Sequence, residues 1–70
     1  MQVEVFKTNI TTQKEAKKII ALIKRLSPNL KTNFDLDDCD KILRIEGEVI
    51  DNIAIINLVT NLDYTCEDLI

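Results

Sequence analysis

Residues 31–47, KTNFDLDDCDKILRIEG, contain the passage on which the fold turns. From Lys31 the side chains alternate: Thr32, Phe34 and Leu36 fall on one side, Asn33, Asp35 and Asp37 on the other. The polar run Asp37-Asp38-Cys39-Asp40 breaks the alternation as a turn, because Asp side chains bond readily to the backbone just ahead of them. Alternation resumes over Lys41 to Glu46, where Leu43 and Ile45 oppose Ile42, Arg44 and Glu46, and Gly47 ends the run. Two short alternating runs around an acidic turn read as a β-hairpin.

On both sides of this hairpin the period changes to that of a helix. Before it, Ala16, Ile19, Ile20, Ile23 and Leu26 recur at helical spacing as one inward stripe. Thr12-Gln13-Lys14-Glu15 matches a capping box, in which hydroxyl and carboxylate each bond the other residue's amide. Lys24 and Arg25 suit the negative end of this helix, and Ser27-Pro28-Asn29 stops it. After the hairpin, a helix is expected over roughly Val49 to Thr60, with Val49, Ile53, Ile56 and Val59 inward and Asp51 in its first turn. Ile50, Ile55 and Leu58 widen its apolar surface, and its β-branched residues make it depend on packing.

Outermost lie two more strands. Met1 to Lys7 alternates Met1, Val3 and Val5 against Gln2, Glu4 and Phe6, and Tyr64-Thr65-Cys66 offers a short final strand. The order β-α-β-β-α-β predicts one α+β domain over residues 1–70, a ferredoxin-like sandwich. Its antiparallel sheet would run 4-1-3-2 with both helices on one face. If the helices cover the valine face, Phe6 and Ile42 lie on the bare face, an apolar spot suited to a partner or to self-association.

Composition excludes much chemistry. The 70 residues include no histidine, one glycine and two cysteines, with a net charge of −3. Without histidine there is no Ser-His-Asp or Cys-His triad and no His₃ zinc site. Two cysteines cannot supply a Cys₄ centre, and one glycine cannot build a Walker or dinucleotide-binding loop. The longest apolar run, Ile19 to Ile23, is far short of the ~20 residues that span a bilayer. No segment has the order of a signal peptide, so a cytoplasmic protein without cofactor or membrane attachment is expected.

The segment Ile10-Thr11-Thr12-Gln13-Lys14-Glu15-Ala16-Lys17 resembles the heavy-metal-associated domain of copper chaperones and metal-pumping ATPases. That family reads Met-x-Cys-x-x-Cys-Ala between its first strand and first helix. Asn61-Leu62-Asp63-Tyr64 is similar to the family's Gly-Tyr or Gly-Phe after the second helix, with Asp63 in place of glycine. The resemblance implies the same fold over nearly the whole chain. It also locates a loss: Thr12 and Glu15 stand where the family has its two metal-binding thiolates. A hydroxyl and a carboxylate do not reproduce a soft Cu(I) site, whereas they do start a helix.

Other residues have a sharp and a plain reading. Asp37, Asp38, Cys39 and Asp40 could hold a cation, but the spacing is not that of an EF-hand, and turn-forming aspartates with an inert thiol are the plain account. The fold brings Thr11, Thr12, Cys39 and Tyr64 towards one rim. Cys66 starts the edge strand away from the hairpin, too far from Cys39 for a disulfide, and reads as a small apolar filler.

Charge is uneven along the chain: residues 1–31 carry seven basic and two acidic groups, residues 32–70 two basic and ten acidic. Lys14, Lys17, Lys18, Lys24 and Arg25 decorate the outer side of the first helix. The resemblance implies a docking role for such a face, while an ordinary solvated helix is the plain reading. Nucleic acid is not expected of an acidic chain with only Phe6, Phe34 and Tyr64 as aromatics. The expected function is a small non-enzymatic protein-interaction module resembling a metal chaperone without its ligands. The alternative is residual metal binding or transport through Cys39 and the rim carboxylates.

Overall fold

The computed structural model describes residues 1–69. The elements are β1 (Gln2–Thr8), α1 (Gln13–Leu26), β2 (Lys31–Asp35), β3 (Ile42–Gly47), α2 (Asn52–Thr60) and β4 (Cys66–Asp68). The strands form one antiparallel sheet in the order β2-β3-β1-β4. This is the ferredoxin-like α+β arrangement that the hairpin and its flanking helices predict.

Register decides which face is covered. Phe6 stands opposite Leu43, and Phe34 stands opposite Leu43 from the other side. Opposed residues of an antiparallel ladder point to the same face. Phe6, Leu43 and Ile45 are fully buried beneath Ala16, Ile19 and Ile23 of α1 and Ile55 and Val59 of α2.

The expectation for β1 is therefore inverted at Phe6. Its ring lies in the core with no exposed surface, so Phe6 is no candidate for partner binding. The covered side of β1 continues through Thr8 into Ile10, both buried, while Val3 and Val5 occupy the uncovered face. The larger apolar area of phenylalanine favours its burial over that of either valine. Ile42 stands opposite Lys7 and does lie on the uncovered face, half-buried.

The helices correct two further expectations. Leu26, at the end of the expected α1 stripe, is 53% exposed. Helix α2 begins at Asn52, not at Val49, because Asp51 is its N-cap and accepts the Ala54 amide at 3.1 Å. The amide of Ile50 is meanwhile held by the Gln2 side chain at 3.0 Å. The helix set by that start turns Ile55 and Val59 inward and leaves Val49 79% and Ile53 72% exposed, with Ile56 half-buried. Gly47, the last residue of β3, lies beneath Leu30: a Cβ there would come within 2.5 Å of the Leu30 Cδ2.

Candidate functional site

The loop from β1 to α1 leads through Thr12 to Glu15 in the first turn of α1. Its geometry follows from side chains that bond to the backbone. Thr12 is the N-cap of α1, with extended backbone, and its Oγ1 accepts the Glu15 amide at 3.2 Å. The Glu15 Oε1 in turn accepts the Thr12 amide at 3.3 Å and the Thr12 hydroxyl at 3.0 Å. The expected capping box is formed in full. The Thr11 amide also reaches this carboxylate, at 3.4 Å.

Tyr64 adds to the rim. The nearness of its hydroxyl to the Glu15 carboxylate, with the Thr12 hydroxyl second, holds the Glu15 carboxyl below its ordinary pKa. The same nearness and partial burial push the Tyr64 phenol up. Tyr64 follows Asp63, whose φ of 68° lies in the left-handed region that favours glycine. The turn at Asp63 brings the aromatic ring of Tyr64 to the side of Glu15.

The loop is pinned from two further sides. The buried Thr8 hydroxyl donates to the Lys41 carbonyl and accepts the Ile10 amide at 3.2 Å, and the Thr8 amide donates to the Asp40 carbonyl at 3.1 Å. Asn9 Oδ1 accepts the Thr65 amide at 2.9 Å. Ile10 is fully buried. Sequence pattern alone does not single out Thr8 and Asn9. A Thr-Asn pair leaving a strand is a signal for side-chain-to-backbone turns, but it does not name the partners.

Across the rim, the β2–β3 turn is shaped by its own aspartates. Asp35 Oδ1 accepts the Asp37 amide at 3.2 Å, Asp38 Oδ1 accepts the Asp40 amide at 2.8 Å, and Lys41 turns with a φ of 48°. The Lys41 ammonium donates to the Leu36 carbonyl at 2.9 Å, and Asp40 faces Lys7 at 3.8 Å. Asp38, Cys39 and Asp40 bring one donor atom each within 4.8 Å of one another, with Cys39 exposed. Asp37 is not in that cluster. Both cysteines are free, and burial, aided by Asp68 and Glu67, pushes the Cys66 thiol up to about 12.

The uncovered sheet face is the other candidate. Val3, Val5 and Ile42 line a shallow depression of about 650 Å³ together with Asn33, Asp35 and Arg44. Arg44 stands opposite Val5 and lies 3.9 Å from Glu46. On the far side of the sheet, Lys14, Lys17, Lys18, Lys24 and Arg25 are all exposed on α1, and none is in an ion pair among the described residues. Among the described residues no helix is long and apolar enough to cross a membrane.

Comparison with protein-family models, with curated proteins and with solved structures finds no match.

Proposed function

We propose that this chain is a non-enzymatic, cytoplasmic protein-interaction module, a heavy-metal-associated-like domain whose metal loop has become a helix cap. The observation that carries the reading is the uncovered apolar run of Val3, Val5 and Ile42, over which no element packs among the described residues. On this face Arg44 stands opposite Val5 and Asp35 opposite Ile42, so it suits a partner whose small apolar groups are interleaved with both signs of charge. The capping box supports the absence of metal handling at Thr12 and Glu15, since the Thr12 hydroxyl and the Glu15 Oε1 are both engaged in the cap. The exposed basic face of α1 is the second docking candidate.

The test is retention of proteins from a native extract by the immobilised chain, compared among variants. Val5→Lys with Ile42→Lys abolishes retention, and Lys17→Glu with Lys18→Glu leaves it. Equal retention by the wild type and the sheet-face variant refutes the reading.

A second reading rests on the approach of Asp38, Cys39 and Asp40. It gives the β2–β3 turn a residual metal-binding role. Against it, the Asp38 carboxylate already orders the turn and the Asp40 carboxylate already faces Lys7. Titration with Cu(I) and Zn²⁺ under reducing conditions separates the two: uptake abolished by Cys39→Ser supports the second reading.

A further inference from the structure

The sheet has two open edges, and they differ. Strand β4 is three residues long and carries Glu67 and Asp68, so two copies meeting there would oppose acid to acid. Strand β2 is five residues, Lys-Thr-Asn-Phe-Asp, with neither proline nor positive φ, and hydrogen-bonds only to β3 among the described residues. Edge strands of this kind are templates for another strand unless charge or shape protects them. Here the charge does the opposite in one arrangement.

We propose that β2 pairs antiparallel with β2 of a second copy, about a dyad through Asn33. In that register Lys31 of each copy stands opposite Asp35 of the other, and Thr32 stands opposite Phe34. Lys31, Asn33 and Asp35 lie on the uncovered face and are exposed, and neither Lys31 nor Asp35 is in an ion pair within the chain among the described residues. A parallel pairing sets Lys31 against Lys31 and Asp35 against Asp35, which is repulsive. A two-residue slip towards the strand start leaves Lys31 facing Asn33 and loses both ion pairs. A two-residue slip the other way leaves only Asn33 to Asp35 overlapping within the strands. The sequence of β2 thus complements itself in one full-length register, as an isologous contact requires.

The product is a continuous eight-stranded sheet with all four helices on one side. About four to six new backbone hydrogen bonds and two cross-strand ion pairs join the copies. Such an edge contact is smaller than the ~800 Å² per partner of a stable dimer, so the association is weak and concentration-dependent. It uses the sheet edge that borders the uncovered face, with Asp35 at the margin of both.

Sedimentation equilibrium of the whole chain from about 10 μM to about 1 mM, the range where such weak contacts populate, supplies the test. The wild type shifts from monomer to dimer. Lys31→Asp alone and Asp35→Lys alone each stay monomeric, because each sets like charges across the dyad. Mixing these two variants restores a one-to-one dimer, since the two acidic side chains of one variant strand then face the two basic side chains of the other. Val5→Lys dimerises like the wild type, which separates this contact from the sheet face. A monomeric wild type, or a dimer indifferent to both charge reversals, overturns the proposal.

Discussion

Thr12→Ala removes the hydroxyl that caps α1. The wild-type hydroxyl accepts the Glu15 amide at 3.2 Å and donates to the Glu15 carboxylate at 3.0 Å. The substitution leaves the first-turn amide without its acceptor and removes one donor from the Glu15 carboxylate. Loss of a Thr cap costs about 1 kcal/mol, within a range of about 0.5–2. The position is exposed, so water replaces part of the lost bonding and the lower half of that range is expected. In a domain of this size ~1 kcal/mol lowers Tm by about 4–8 °C. Urea unfolding followed by circular dichroism measures it, with Thr12→Ser as the control that keeps the cap. A cost for Thr12→Ala below ~0.3 kcal/mol, or one equal to that of Thr12→Ser, refutes the claim that Thr12 works as a cap.

Further predictions concern the same rim and the core. Glu15 has a lowered pKa in the folded chain, so its ionised form contributes stability above its ordinary value of 4.5 and loses it as pH falls through the folded value. The stability difference between wild type and Glu15→Gln therefore shrinks on acidification below pH 4.5, and a difference that is flat or grows there contradicts the lowered pKa of Glu15. Ile55→Ala costs about 2–5 kcal/mol because the side chain is buried, whereas Ile53→Ala on the open side of α2 stays within ~0.5, both read by urea unfolding. Asp63→Val costs about 1–2 kcal/mol more than Asp63→Gly, since only glycine adopts the left-handed turn freely. A maleimide labels Cys39 in the native chain and Cys66 only after unfolding.

The order of elements is readable because each change of period falls beside a breaker: Ser27-Pro28-Asn29 after α1, the aspartates between β2 and β3, and Gly47 after β3. The capping box is readable for a similar reason, being a contact between residues three apart. What stays hidden depends on distant partners. Strand β1 is apolar on both sides, with Val3 and Val5 against Phe6, so alternation alone does not say which side the helices cover. Pairing of Phe6 with Leu43 decides it. Helix α2 is apolar around most of its circumference, and its rotation follows from the Asp51 cap and the Gln2 bond to Ile50. Neither appears in the hydrophobic period. The rim is partly legible: of the expected Thr11, Thr12, Cys39 and Tyr64, the two threonines and the tyrosine gather about Glu15, while Thr8 and Asn9, which tie the loop to the rest of the sheet, reach partners 33 and 56 residues away.

The central claim is the proposal that Thr12 and Glu15 close the loop between β1 and α1 as a helix cap and leave no metal site there. Titration of the wild-type chain with Cu(I) under reducing conditions tests this directly, followed by the amide resonances of Thr12 and Glu15. The account predicts that both resonances stay unchanged through one equivalent of metal. Stoichiometric uptake that shifts both resonances and survives Cys39→Ser contradicts it.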